Sequence, residues 1–512
     1  MATTEAETTG PTNFLVNRET RAAPERFHCD EKSPIHNLPP EVLHAIFLQV
    51  AGDYRGYYWR LLRLRMVCNY WMEVIDSTPG LWNLISTGLH PALQAMILQN
   101  SGNHLLNVEY DEMFWGQEPE TEYEFAWLME SSASRWQTLE YHRGNGSRND
   151  TWLSSLPLHS LQRIEIYGFP STDQRLTLDA PKLSYVVLGR CSLNWSSLSA
   201  LQVLSLESTY PTFNELTAVL QASPGLSSLS LRETWQESGM EDPLISQASR
   251  HIQLSRLRTL EIEGQLTRST SFLLEYIEAP SLETFTVAGS NRTRPEHCPQ
   301  LCEAAGRYIG AFPLPGNLTQ AMVSITAQDR WIKFSIGERD ISLWSFAWNR
   351  GNGAPVKRAS IASAMKHLDS RVCEQVTTLD ISCWDDGEIG GYLHAVHSHF
   401  PRIDQVLVMD GGCFSTKIEL VLQHLSSPSQ MGLSEEWLLP GLAKLEFDLS
   451  GSIDADLGGR VLELVDKRRE AERTEKIREL KITVEEGDSD PSTVENLRRA
   501  VMLFDLTVVR GA

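Results

Sequence analysis

The feature that most constrains the fold is a six-residue frame, L-x-x-L-x-L with other apolar residues allowed for leucine, that recurs along most of the chain. Clear copies begin at residues 161, 183, 201, 226, 257, 282, 376, 403, 442 and 477, with weaker copies at 105 and 136. The first six clear copies start 18 to 31 residues apart. The alternation of apolar positions predicts a short strand in each copy. The chain therefore contains a repeated structural unit.

Residues around the frames indicate how the strands are connected. Proline stands two residues before the frame at five places, which suits the first residue of a strand: Pro181, Pro224, Pro280, Pro401 and Pro440. Thr212–Glu215 has the spacing of a capping box, and apolar residues on one face predict a helix after it. Phe272–Ile277 predicts a second helix. The charged run Asp466–Glu479 predicts a helix with a solvated surface.

A strand followed by a short helix, repeated every 20 residues or so, resembles the leucine-rich repeat. The resemblance implies an α/β solenoid over residues 86–512, with parallel strands on a concave face and short helices and loops on a convex face. Residues 288–372 fit the frame poorly, and are either distorted repeats or an inserted hairpin. An α/β domain with buried strands is the alternative.

The N-terminal segment has a different pattern. Residues 1–33 contain few large apolar groups and are expected to be a disordered tail. Residues 34–85 are expected to form a small helical domain, in which Pro39 and Pro40 suit a first helical turn. Apolar residues then follow a helical period in two runs, from Val42 to Val50 and from Tyr57 to Ile75.

The order of residue types in this helical segment is more specific than its periodicity. Leu38-Pro39-x-Glu41-Val42-Leu43-x-x-Ile46-Phe47, then Leu64-x-x-Val67-Cys68-x-x-Trp71, then Pro79-x-Leu81-Trp82 resembles the F-box. The ending Asp76–Trp82 is similar to the expanded F-box families of mushroom-forming fungi. The stretch Gly52–Trp59 is longer than the usual linker, and Met72 stands where the family often carries arginine.

The resemblance implies a non-catalytic substrate-recognition subunit of a Skp–cullin–F-box ubiquitin ligase. Its helices would bind a Skp-type adaptor, and through it a cullin, while its repeats bind an unknown target protein. The adaptor-binding residues carried over by motif are Leu38, Pro39, Val42, Ile46, Phe47, Leu64, Val67, Cys68 and Trp71. A leucine-rich-repeat scaffold without a ubiquitin role, its helical segment capping the solenoid, is the alternative.

In a leucine-rich repeat the third, fifth and seventh frame positions face the concave side. Eight acidic and four basic residues occupy these positions in the clear frames. A target with a basic patch would complement this excess, whereas a merely solvated sheet face is the competing interpretation. The target-binding candidates are Glu165, Glu207, Arg232, Glu261, Glu263 and Asp380.

Composition excludes several other functions. A formal net charge of −21 repels phosphate backbones and anionic membranes, so neither nucleic acid nor membrane is an expected partner. The chain shows no secretory signal and no apolar run of spanning length, which favours a cytoplasmic or nuclear location. It carries no recognised catalytic motif, and the His297–Cys298–Cys302 cluster lacks a second ligand pair. We expect no enzyme activity, cofactor or metal.

Overall fold

The computed structural model describes residues 34–52, 56–111, 129–142, 151–168, 175–234, 251–265, 267–289, 298–310, 321–326, 331–336, 339–344, 363, 365–368, 370–382, 389–410, 416–429, 436–449, 457–471 and 474–484. The tail expected over residues 1–33 lies outside these ranges. Helices come first along the chain, and strands that pair mostly in parallel follow. Contacts divide the chain into two units, residues 1–109 and 110–512.

The first unit is mainly helical. Its elements are α1 Pro40–Ala51, α2 Tyr57–Arg65, α3 Asn69–Asp76, β1 Leu84–Ser86, α4 Pro91–Asn100 and β2 Leu106–Asp111, with 3₁₀ turns at Pro34–Asn37 and Pro79–Trp82. The helical run expected from Tyr57 to Ile75 is interrupted between α2 and α3. Cys68 is extended there (φ −159°), and its Sγ accepts a hydrogen bond from the Trp71 backbone N–H at 3.5 Å. Cys68 therefore caps a new helix.

The second unit contains one long sheet. Its strands are β3 Trp136–His142, β4 Arg163–Tyr167, β5 Tyr185–Gly189, β6 Val203–Glu207, β7 Ser228–Arg232, β9 Thr259–Gln265, β11 Thr284–Gly289, β12 Ala321–Thr326, β13 Trp331–Ile336, β14 Arg339–Trp344, β15 Val376–Ser382, β16 Gln405–Asp410, β19 Lys444–Leu449 and β20 Glu479–Val484. The order is β3-β4-β5-β6-β7-β9-β11-β14-β13-β12-β15-β16-β19-β20. The strands follow one another across the sheet in chain order, except that β12, β13 and β14 stand in reverse order.

Shorter elements lie between these strands. The helices are α5 Thr151–Ser155, α6 Phe213–Gln221, α7 Thr267–Tyr276, α8 Cys298–Gly310, α9 Ser370–Gln375, α10 Ile389–His399, α11 Thr416–Leu425 and α12 Leu457–Glu470. Two-residue strands pair as β8 Ile252–Gln253 with β10 Ile277–Glu278, and as β17 Pro428–Ser429 with β18 Glu436–Trp437. The predicted capping box is confirmed, because Thr212 and Glu215 exchange side-chain and backbone hydrogen bonds at the start of α6.

All twelve frames contain a strand, as predicted. In the frames that begin at 161, 183, 201, 226 and 257, the first, fourth and sixth residues are buried. Equivalent residues pair across the sheet: Val186 with Leu204, and Leu204 with Leu229. The leucines therefore form continuous apolar rows, because parallel strands in register place equivalent side chains side by side.

The chain leaves successive strands by the same backbone turn. The eighth frame residue has a positive φ in four consecutive frames: Arg190 (55°), Ser208 (48°), Glu233 (49°) and Gly264 (68°). In the first of these frames the ninth residue is Cys191, and its Sγ lies 3.8 Å from the Ile166 carbonyl oxygen. The structural unit thus repeats in backbone conformation as well as in sequence.

Threonine also serves at this ninth position. Thr209 is buried, and its hydroxyl donates to the Leu188 carbonyl oxygen at 3.2 Å, one frame earlier. Asparagine or cysteine was the residue expected there. A threonine hydroxyl satisfies the same carbonyl, since it supplies a donor on a short side chain.

The prolines before the frames do not begin the strands. Each lies four residues before its strand. Around Pro181 and Pro224 a backbone hydrogen bond closes a turn, from Leu183 N–H to Ala180 O at 3.1 Å and from Leu226 N–H to Ser223 O at 3.1 Å. Pro181 and Pro224 therefore occupy the second position of a β-turn, where a fixed φ is favoured.

The irregular segment contains an inserted strand. β13 pairs antiparallel with both β12 and β14, whereas β14 pairs in parallel with β11, and β12 with β15. This antiparallel pairing over β12, β13 and β14 is what the hairpin interpretation of residues 288–372 expects.

The charged run near the C-terminus differs from the prediction. Helix α12 ends at Glu470, and the chain is already in β20 at Glu479. Arg468, inside this run, is fully buried. The helix predicted over 466–479 was therefore wrong beyond Glu470. Its surface is not solvated throughout either, because the Arg468 guanidinium has buried carbonyl partners.

Candidate functional site

Buried aromatic side chains hold the helices of the first unit together. Trp82 is fully buried, and its Nε1–H donates to the Ile75 carbonyl oxygen at 2.8 Å. The Tyr57 hydroxyl donates to the Leu81 carbonyl oxygen at 3.2 Å, and the Tyr58 hydroxyl donates to that of Leu84. Burial raises the pKa of Tyr57 to about 12. These aromatic residues belong to the core, and fix α2 and α3 against the turn that follows them.

Helix α1 carries two apolar stripes rather than the single face that its sequence predicts. Leu43, Phe47 and Ala51 are fully buried. Val42 and Val50, each one residue earlier in the same period, are 42% and 48% exposed. Ile46 lies between them and is half-buried. We call Val42, Ile46 and Val50 the outer stripe; within the described part of the chain it remains accessible.

More apolar surface is exposed where α2 ends. Met66 is 74% exposed and Val67 is 42% exposed, although both lie between two helices. An ion pair connects the end of α2 to α3, because Arg65 donates to both carboxylate oxygens of Asp76 at 2.7 and 2.8 Å. This ion pair raises the pKa of Arg65, chiefly through its hydrogen bond to Asp76. A rigid turn thus presents two apolar side chains to solvent.

The nine residues predicted to bind an adaptor differ in accessibility. Exposed members are Pro39, Val42 and Val67; half-buried members are Leu38, Ile46, Leu64 and Trp71; buried members are Phe47 and Cys68. The rings of Phe47 and Trp71 pack edge to face, with 5.0 Å between their centroids. Phe47 and Cys68 therefore pack inside the unit, and shape the surface from beneath.

The second unit presents rows of polar side chains that run across neighbouring strands. We call this surface, formed by the third, fifth and seventh frame positions of β3–β9, the polar face. The fifth-position row is Glu140, Glu165, Val187, Ser205, Ser230 and Glu261, and the seventh-position row is His142, Tyr167, Gly189, Glu207, Arg232 and Glu263. The structure thus brings five of the six predicted target-binding residues onto one surface.

Arginine neutralises part of the acidic excess on the polar face. Arg232 Nη2 lies 3.3 Å from Glu261 Oε2, and its Nε lies 3.4 Å from Glu263 Oε2. Burial nevertheless raises the pKa of Glu263, an effect that Arg232 opposes and the carboxylates of Glu261 and Glu207 reinforce. The acidic excess is therefore interrupted at this end of the face.

The sixth predicted residue, Asp380 in β15, is nearly buried at 6% exposure. It pairs in register with Ser324 on one side and Leu407 on the other. As a target contact it stays a prediction, although its low exposure leaves little surface for a partner.

Aromatic residues on the polar face were missed when only charges were considered. The rings of His142 and Tyr167 stack at 4.9 Å with 5° between their planes. Arg163 lies 4.0 Å from the centre of the Tyr185 ring and pairs with Glu165. The frame pattern could have identified these residues, because Arg163 and Tyr185 occupy the third position and His142 and Tyr167 the seventh.

Other candidate chemistry is sparse. A cavity of about 570 Å³ lies between α7, α8 and the β8–β10 pair, with Leu274, Ile277 and Tyr308 among its apolar walls and Glu278 at its rim. In the part of the chain that the structure describes, no group of three metal-ligating side chains is found. None of the described helices has the length and apolarity to cross a membrane. His297 lies outside the described residues.

A comparison with known families finds a match within the first unit. A family model described as F-box-like matches residues 35–87, the segment that contains α1, α2, α3 and β1. Comparison with curated proteins finds no match to this chain. The chain therefore carries an F-box-like domain, and such domains generally bind Skp-type adaptors.

Proposed function

We propose that this chain is the substrate-recognition subunit of a Skp–cullin–F-box ubiquitin ligase. The observation that carries the proposal is the outer stripe of α1, an accessible apolar surface inside the segment that matches the F-box-like family. Exposed apolar surface that is held by a rigid core is typical of an interface.

The docking surface combines the outer stripe with the turn after α2. Val42 and Val67 supply apolar area that binding would remove from water, while Phe47 and Trp71 hold the two segments in place from below. Pro39 is exposed at the start of α1 and contributes a rigid edge. The adaptor would connect the chain to a cullin and to the ubiquitin-conjugating enzyme, so the chain itself needs no catalytic residue.

The second unit is the target receptor in this proposal. Its in-register strands, the recurring left-handed turn at Arg190, Ser208 and Glu233, and the ninth-position contact of Thr209 support a leucine-rich-repeat solenoid. The polar face would then be its concave surface. The similarity of Asp76–Trp82 to mushroom-forming fungal F-box families supports membership of that group.

A pair of substitutions on α1 tests adaptor docking. Val42 and Leu48 are both 42% exposed, but lie about 120° apart around the helix, since each residue turns it by about 100°. Val42→Asp should weaken binding of a purified Skp-type adaptor at least tenfold in isothermal titration, because a carboxylate would be buried in an apolar contact.

Leu48→Asp is the matched control and should change the affinity less than twofold. Equal affinities for the two variants would show that the outer stripe does not dock on the adaptor. Absence of adaptor binding by the unmodified chain would leave the repeat scaffold without a ubiquitin role as the better account.

A further inference from the structure

The seventh-position row of the polar face contains a gap. Tyr167, Gly189 and Glu207 stand in register on three adjacent strands. Because neighbouring strands are about 4.8 Å apart, the backbones of Tyr167 and Glu207 are separated by about 10 Å. Gly189 places no side chain between them. We call this opening the Gly189 gap.

Tyr167 requires the glycine. A Cβ atom at position 189 would lie 2.7 Å from Tyr167 Cδ1, which is closer than real Cβ contacts come. His142 covers the ring from the side of β3. The Tyr167 ring therefore lies over Gly189, with His142 stacked against it on the side of β3, and it forms one wall of the gap.

Glu207 forms the other wall. Its side chain is exposed, and its carboxylate has neither a hydrogen bond nor an ion pair with any of the residues that the structure describes. Its neighbours across the row are Gly189 and Arg232, and Arg232 is directed to Glu261 and Glu263. Among the described residues, a carboxylate without a cation thus lies two strands away from Tyr167, on the other side of Gly189.

The chain's own arginine makes a related contact in the third-position row. The guanidinium of Arg163 lies over the Tyr185 ring at 4.0 Å and pairs with the Glu165 carboxylate. An aromatic ring and a carboxylate together attract guanidinium through its planar face and its N–H groups. The Gly189 gap offers these two groups, and no arginine of the described residues pairs with Glu207 there.

The potential at the gap is negative. Burial raises the pKa of Tyr167 to about 12. Nearby charges add to this effect, from the carboxylates of Glu165, Glu207 and Glu140 and from the Tyr185 hydroxyl. These groups disfavour a further negative charge on the ring oxygen, and they favour a cation near the ring for the same reason.

We infer that the Gly189 gap binds an arginine side chain of the target protein, with the guanidinium stacked on Tyr167 and hydrogen-bonded to Glu207. Arginine fits better than lysine, because its planar group can extend the His142–Tyr167 stack and still present two N–H donors to a carboxylate. The inference rests on the proposed role of the second unit as target receptor, and names one chemical feature of that target.

Peptide binding to the full chain tests the inference. The probe is an immobilised peptide of four Gly-Arg dipeptides, compared by surface plasmon resonance with a peptide in which uncharged citrulline replaces each arginine. Glu207→Gln and Tyr167→Leu should each weaken arginine-peptide binding about fivefold to tenfold. Glu207 is exposed, so its substitution leaves the core intact.

Glu278→Gln is the matched control. It removes the same charge from an exposed glutamate in β10, outside the long sheet, and should change the affinity less than twofold. Equal losses from Glu207→Gln and Glu278→Gln, or equal binding of the citrulline peptide, would overturn the inference and reveal only general attraction to an acidic protein.

Adaptor binding measured on the same samples separates the two proposals. Loss of arginine selectivity with intact adaptor binding refutes only the Gly189 gap. Selective arginine binding without adaptor binding retains the gap and refutes the ligase role.

Discussion

Replacement of Arg468 by methionine should weaken the C-terminal part of the sheet by about 2 kcal/mol. The fully buried guanidinium of Arg468 donates to the carbonyl oxygens of Leu425 and Leu438, each at 3.2 Å, and of Leu439 at 2.5 Å. Leu439 has a positive φ of 50°, so this contact also holds a strained residue beside the turn before β19.

The magnitude follows from two opposing contributions. The carbonyl groups of Leu425 and Leu438 are left without a donor, at a cost of roughly 2 kcal/mol each. The Leu439 carbonyl keeps the Leu442 backbone N–H at 3.0 Å and loses one of two donors, at roughly 1 kcal/mol, so the three losses come to about 5 kcal/mol. Burial lowers the pKa of Arg468 to about 10 from 12.5, which corresponds to roughly 3 kcal/mol of desolvation that methionine avoids. Methionine also retains most of the side-chain volume, so the net loss is about 2 kcal/mol.

Hydrogen exchange measured by mass spectrometry reports this loss locally. Amides of α12 should exchange roughly thirtyfold faster in Arg468→Met, since about 1.4 kcal/mol corresponds to a factor of ten. The control is Arg469→Met at the adjacent exposed position, which should leave exchange unchanged. Indistinguishable exchange in the two variants would refute the assignment of Arg468 as a structural anchor.

Three further predictions concern stability. Trp82→Ala should cost the first unit about 3–5 kcal/mol in denaturant unfolding, whereas Trp59→Ala, at a side chain 62% exposed, should cost under about 1 kcal/mol; equal costs would contradict the described core. Burial pulls the pKa of Glu215 upward, but bonds from Thr212 and Arg175 outweigh it and leave that pKa below 4.5. The stabilisation from Glu215 should therefore be complete above about pH 4.5 and be lost as the pH falls, and Glu215→Gln should flatten this acid dependence of the melting temperature. A chain that begins at Ser33 should melt within a few degrees of the full chain, because residues 1–33 have too few apolar groups to offset ordering, and a large decrease would show that they pack on the rest.

Repetition made the strands predictable from sequence. The apolar frame positions specify burial directly, so Leu204 and Leu229 were placed correctly without any knowledge of their partners. The prolines were less informative, because Pro181 is compatible with both a strand start and a turn, and only the hydrogen bond of Leu183 decides between them. Local sequence specified the elements, and tertiary hydrogen bonds specified the turns.

The candidate surfaces were only partly predictable. A helical period places Val42 near Leu43 on one broad face, but which of the two is buried depends on where α2 and α3 pack. Charge counting found Glu207 and Arg232, yet it could not show that Arg232 pairs with Glu261 across strands. Pairing between strands depends on register, which a single frame does not contain.

Affinity purification of the full chain with quantitative mass spectrometry tests the central claim most directly. The account predicts that a Skp-type adaptor is recovered in near-equal amount to the chain, together with a cullin, and that both fall at least tenfold when the bait carries Val42→Asp but not Leu48→Asp. Recovery of neither protein above the level obtained with Val42→Asp would contradict the claim that residues 35–87 bind the chain to a ubiquitin ligase.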